Sequence, residues 1–119
     1  MVRRLVEVAK AADQKPTGLA TIVDGVGPMY LADLKEALAV VGPCFSQIYG
    51  QGESPMTITV LPKAIINDTA RTLYHERLAS VGVALSMVQV AVHDAQGREL
   101  PPGERGEVCV RGDVVMTGY

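Results

Sequence analysis

Residues 19–55 read LATIVDGVGPMYLADLKEALAVVGPCFSQIYGQGESP, and the change of hydrophobic period inside this stretch decides the fold class. The β-branched run Thr21, Ile22, Val23 reads as a buried strand that runs into Gly25, Gly27 and Pro28. From Leu31 the period lengthens. Leu31, Leu34, Leu38 and Val41 share one helical face, Asp33, Lys35 and Glu36 lie largely on the other, and Gly42-Pro43 stops the helix. Residues 44–49 form a second short apolar strand, entering a loop that carries Gly50, Gly52 and Glu53. Strand, glycine loop, helix, strand, glycine loop is half of a layered α/β architecture. Both loops fall at the carboxyl ends of their strands, the edge at which open α/β sheets bind ligands.

Upstream, Leu5, Val6, Ala9 and Ala12 recur at spacings of three and four, predicting a short surface helix that ends at Lys15-Pro16-Thr17-Gly18. Downstream, Met56 to Val60 is β-prone and closed by Pro62. Residues 63–79 are ambiguous, with room for one or two helical turns around Ala70 to Leu78. From Met87 the pattern is all β: VQVAVHD alternates, turns fall at 94–97 and 101–103, and GEVCVRG alternates again. The organisation expected is an α/β portion at 1–62, a connection at 63–84 and a β-hairpin-rich, barrel-like portion at 85–119. VRGDVVMTGY ends the chain without a cap or polar tail, so the whole is expected to be a fragment of a larger fold.

Composition narrows the function classes. At 119 residues, 48% hydrophobic and net charge -2, the chain can bury one core and has no charge excess to recruit nucleic acid or an anionic membrane. It has no Trp and one Phe, hence no aromatic platform for stacking bases. Cys44 and Cys109 belong to no CxxC or Cys/His set, which points to two reduced, core-type thiols and a cytoplasmic setting. Glu7 and Lys10 interrupt the N-terminal apolar positions before a signal-peptide core forms, and no run of 18 apolar residues occurs.

Few residues carry chemistry by type and spacing. Gly50 and Gly52 leave backbone N–H groups unobstructed, as an anion nest requires, and Glu53 is a hard oxygen donor suited to Mg²⁺. Residue types alone favour a plain turn with a solvated carboxylate over that reading. DGVGPM lacks the third glycine of a dinucleotide fingerprint and reads as a βα turn. His75 and His93 are expected to be exposed, without a nucleophile in context. Asp94, Glu99, Glu104 and Glu107 are expected to form a solvated rim.

Three patches, in order, resemble one family, the AMP-forming acyl-CoA synthetases, whose wider group of adenylate-forming ligases includes luciferases and peptide-synthetase adenylation domains. DGVGPM with the helix LADLKEAL resembles the family's GGAPM loop and following helix. QIYGQGE resembles its YGxTE motif, and the stretch from SVGVALSMVQVAVHD through GRELPPGERGEVCVRG to VMTGY resembles its SVGRPLPGVEVRIVDxxGxELPPGExGEIxVRGxxVMxGY. The resemblance runs from about residue 18 to the end, and the third patch is the most specific.

The resemblance implies a ligase that activates a fatty or aromatic carboxylic acid with ATP as the acyl-adenylate, then transfers it to coenzyme A. By motif match, Gly25, Val26, Gly27 and Pro28 would lie along adenine and Tyr49 would pack against the base. The backbone of Gln47, Ile48, Tyr49, Gly50, Gln51 and Gly52 would line the AMP site, and Glu53 would ligate Mg²⁺. Gly52 stands where the family has Thr, Val26 where it has a second glycine, and Val83-Ala84 where it has Arg-Pro. The phosphate-binding loop, the TGD aspartate and the adenylating lysine are not among these residues, so the 119-residue chain is expected to be inactive alone. Two alternatives remain: a piece of another adenylate-forming enzyme such as a peptide-synthetase adenylation domain, and a non-catalytic interaction module that self-associates through exposed sheet edges.

Overall fold

The computed structural model describes residues 1–119 except Val26 and Pro28. Helix α1 (Val2–Ala11) is followed by strand β1 (Ile22–Asp24), helix α2 (Leu31–Val40) and strands β2 (Phe45–Gln51) and β3 (Ser54–Leu61). Short helices α3 (Lys63–Ile66) and α4 (Tyr74–Leu78) lead to β4 (Val83–Ala84), and β5 (Gln89–His93) and β6 (Glu107–Arg111) complete the chain. The mixed α/β class and the β1–α2–β2 half-unit are as expected, with β1 and β2 parallel, but β1 is an edge strand with Thr21 and Val23 exposed and not the buried strand expected. The ambiguous 63–79 segment resolves into α3 and α4.

β1, β2, β3 and β4 form one sheet in that order, with β2·β3 and β3·β4 antiparallel. Val83 and Ala84 add its last strand by pairing with Val60 and Thr59. β5 and β6 form a separate antiparallel pair with unbroken register from Gln89↔Arg111 to His93↔Glu107. The described residues therefore contain an antiparallel ribbon and no closed barrel. Its connection is organised by Asp94, whose Oδ1 accepts the N–H groups of Gln96 and Arg98 at 2.9 Å while Oδ2 accepts Arg98 Nε at 2.8 Å. Asp94 is thus a half-buried turn staple, in contrast to the expected solvated rim; Glu99, Glu104 and Glu107 are exposed as expected.

The core lies between the sheet and the helices. Phe45, Leu34, Ala37, Leu61, Ile66 and Leu78 are buried in one cluster, with Val6 of α1 joining from outside. Each large apolar side chain there contributes about 1.5–3 kcal/mol by leaving water. Helix α2 turns Leu34 and Ala37 fully inward, with Val41 buried just past its end, while Leu31 and Leu38 sit at the margin of the cluster. Ion pairs Arg3–Asp33 (2.8 Å) and Lys10–Glu36 join α1 to α2 at the surface, where such pairs add little. Cys44 is buried as expected, whereas Cys109 in β6 is only half-buried because the ribbon has one covered face at most. No helix among the described residues is long and apolar enough to cross a membrane.

Candidate functional site

Parallel pairing sets the site. The register Ile22↔Phe45, Val23↔Ser46, Asp24↔Gln47 brings the carboxyl end of β1 beside the middle of β2. Gly25, the next residue, therefore abuts Ile48: a Cβ built on it would lie 2.7 Å from Ile48 Cγ1 and 2.9 Å from the Ile48 carbonyl oxygen. Gly27 and residues 47–51, with Val81, line one cleft of about 340 Å³. Gly25 itself lines a neighbouring cavity of about 350 Å³ with Asp24, Gly27, Met29, Tyr30 and the start of α1. Val26 and Pro28, both expected along adenine, lie outside the described residues.

Two acceptors at this edge lack partners among the described residues. Asp24 Oδ1 and Gln47 Oε1 are buried without a hydrogen bond. Registered neighbours on adjacent strands project from the same face, so these two oxygens share a side of the sheet. Burial raises the Asp24 carboxyl pKa, only partly countered by its own backbone N–H. Such acceptors call for a donor from a ligand or water. On the same strand, Gln51 Nε2 donates to the Tyr49 hydroxyl at 2.7 Å.

The strand expected at 44–49 is present, but the loop expected at 49–53 is partly strand. β2 runs through Tyr49 and Gly50 to Gln51, only Gly52 and Glu53 form the turn, and β3 begins at Ser54, two residues before Met56. The correction has a local cause. Pairing passes from Tyr49↔Thr59 to Gln51↔Ser54, so Gly50 alone faces the excess residues 55–58 of a bulge in β3. A Cβ at Gly50 would stand 2.1 Å from the Met56 nitrogen; only glycine admits the bulge. Met56 takes a left-handed φ of 59°, and Ser54 and Thr57 share a 2.7 Å hydroxyl hydrogen bond across the bulge.

Glu53 sits at the exposed hairpin tip and does not line the cleft, nor does Gly52. Its carbonyl accepts the Met116 N–H at 2.8 Å, and its Oε1 accepts the Tyr119 hydroxyl at 2.9 Å. The Glu53 carboxyl is held below the usual carboxylate range, first by its own backbone N–H and then by Tyr119. A Cβ at Gly52 would lie 3.4 Å from that hydroxyl, in ordinary contact.

Among the described residues no group of three or more His, Cys, Asp or Glu gathers for a metal, so Glu53 is a lone carboxylate donor. Mg²⁺ takes one or two carboxylates plus phosphate oxygens and waters, and an exposed, ionised carboxylate fits that chemistry. His75 is exposed as expected, with its ring 5.4 Å from Tyr74. His93 is half-buried instead of exposed, because it closes β5 opposite Glu107. Sequence reasoning missed Asp24 and Tyr119. A carboxylate directly after an apolar strand was the available signal for Asp24, whereas Tyr119 is 66 residues from its partner and had none.

A family model for AMP-binding enzymes matches residues 1–119. The chain belongs to the AMP-binding enzyme family. The chain is 36% identical over 103 residues to a medium/long-chain-fatty-acid–CoA ligase of Mycobacterium tuberculosis, covering 87% of the chain and 17% of that protein. It superposes with TM-score 0.83 and 31% identity on the amide bond synthetase of Marinactinospora thermotolerans, covering 99% of the chain and 22% of that structure. A third match is the Bacillus subtilis O-succinylbenzoate coenzyme A synthetase in complex with ATP and magnesium, with TM-score 0.72 and 26% identity over 97% of the chain and 22% of that structure. The chain thus spans about a fifth of the length of the family members it matches.

Proposed function

We propose that this chain supplies the nucleotide-facing part of an ATP-dependent acyl-CoA ligase acting on a fatty or aromatic carboxylic acid. The acid's carboxylate attacks the α-phosphorus of ATP, pyrophosphate leaves, and the thiol of coenzyme A displaces AMP from the acyl-adenylate. The observation that carries the reading is the single cleft in which Gly27 meets residues 47–51, two motifs separated in sequence by the whole of α2. Fatty-acid and O-succinylbenzoate ligases among the relatives support the substrate class.

In this reading the backbone of Gly25 and Gly27 and the Tyr49 ring flank adenine, and the unpartnered Gln47 Oε1 accepts from the adenine amino group. Gly50, Gln51 and Gly52 carry the chain from the base toward the phosphates, with Glu53 as the carboxylate ligand of Mg²⁺. Held there, Mg²⁺ would neutralise charge on the α-phosphate of the transferring adenylyl group. Preorganised backbone donors at the hairpin turn stabilise charge that develops on the phosphate oxygens.

The test is titration of AMP with Mg²⁺ into the 119-residue chain, followed by backbone amide and Tyr49 ring signals. Millimolar binding with shifts concentrated at Gly25, Gly27 and residues 47–53 is expected; saturating AMP without shifts there sinks the assignment. The same chain is expected to show no ATP–pyrophosphate exchange with any acid, since so small a share of the ligase length is present. Robust exchange would overturn that dependence.

A further inference from the structure

The turn of the β2–β3 hairpin is held from outside by Met116 and Tyr119. Gly52 has no side chain and Glu53 stands at the tip, so among the described residues of the hairpin only the Glu53 backbone N–H holds the carboxylate. Two groups from outside the hairpin hold Glu53 as well. The Met116 N–H binds the Glu53 carbonyl at 2.8 Å, and the Tyr119 hydroxyl binds Oε1 at 2.9 Å. One contact anchors the main chain and the other the side chain. The Tyr119 hydroxyl also lies 3.4 Å from the point where a Cβ of Gly52 would begin, so it rests in ordinary contact with the turn.

We infer that Tyr119 is a positioning residue for Glu53: its hydroxyl claims Oε1 and, together with the Glu53 backbone N–H, fixes the plane of the carboxylate that is offered to a divalent cation. The inference rests on the metal role proposed above for Glu53. Holding a carboxylate before the cation arrives removes side-chain entropy that binding would otherwise have to supply, and hydrogen-bonded partners of ligating carboxylates tune metal affinity in this way. Tyr119 is fully exposed, so it acts through this contact and not through the core.

The experiment uses Mn²⁺ as a paramagnetic probe on the 119-residue chain, read as broadening of the amide signals of Gly52, Glu53 and Ser54. The unaltered protein is expected to broaden at these amides, Glu53→Gln to lose the effect, and Tyr119→Phe to need about tenfold more Mn²⁺. In the Glu53→Gln background, Tyr119→Phe is expected to change nothing further, which a purely structural role for the tyrosine would not produce. Equal Mn²⁺ response in Tyr119→Phe and the unaltered protein overturns the positioning role, while loss in Glu53→Gln alone leaves the metal reading standing. Broadening that persists in Glu53→Gln, or is absent from the unaltered protein, overturns the metal reading and the positioning role together. Ring-to-Gly52 Overhauser contacts in the same samples separate that failure from loss of the Tyr119 contact itself.

Discussion

Gly25 meets the Ile48 carbonyl so closely that a Cβ on the glycine would stand 2.9 Å from that oxygen and 2.7 Å from Ile48 Cγ1. This contact joins the end of β1 to the strand that carries the candidate nucleotide-binding residues. Gly25→Ala is therefore expected to push β1 away from β2 and destabilise the fold by about 1–3 kcal/mol, the usual range for overpacking. Urea unfolding measures the loss, and Ile48 amide shifts report the displacement. A variant as stable as the original, with Ile48 unmoved, would show that the approach is looser than described.

Phe45 is wholly buried, opens β2 and packs with Leu34, Leu61 and Ile66. Phe45→Ala is expected to cost about 3–5 kcal/mol. Total stabilities run only to about 5–15 kcal/mol, so most of the margin would vanish. Thermal denaturation followed by circular dichroism checks this, with a small shift in midpoint as the contrary result.

Asp24 gives a pH signature of defined sign. Burial raises its folded pKa above the unfolded value, so between the two values the folded state binds more protons. Its cost to stability is present in full above the folded pKa, is relieved as pH falls through that value, and is gone below the unfolded pKa. Asp24→Asn is expected to be more stable than the original at neutral pH, with the gap closing in acid. Denaturant midpoints of both proteins across this range provide the measurement, and a gap that widens in acid would contradict the sign.

Gly52 stands where the family has Thr, and its φ lies outside the left-handed region, so a side chain carries no backbone strain there. If the turn faces the α-phosphate, Gly52→Thr is expected to raise AMP affinity about fivefold, the worth of one modest hydrogen bond. Gly52→Val has a similar shape without the hydroxyl and is expected to gain nothing. Isothermal titration of the two variants with AMP and Mg²⁺ compares them; equal affinities would remove the phosphate contact.

Much of the fold was legible because its signals are local. The three- and four-residue spacing of Leu31, Leu34 and Leu38 specifies α2, and the β-branched run before Gly25 specifies β1. The hairpin was not legible at 50–56. A strand that continues through Gly50 depends on the bulge opposite it, and the bulge is a property of pairing with residues 55–58 that no spacing within β2 records. The same holds for Asp94, whose role as a staple depends on the turn closing over Arg98.

By itself the sequence determined the α/β half-unit, the β-rich second half and the family, because periodicity and motif order are written along the chain. Tertiary structure alone decided that Gly27 shares a cleft with residues 47–51, that Asp24 and Gln47 bury oxygens with no partner among the described residues, and that Tyr119 reaches Glu53. Each of these depends on strand register or on a contact between distant segments. Register follows from packing the whole core at once, with Phe45 and Ile22 paired on one face, and no local pattern carries that information.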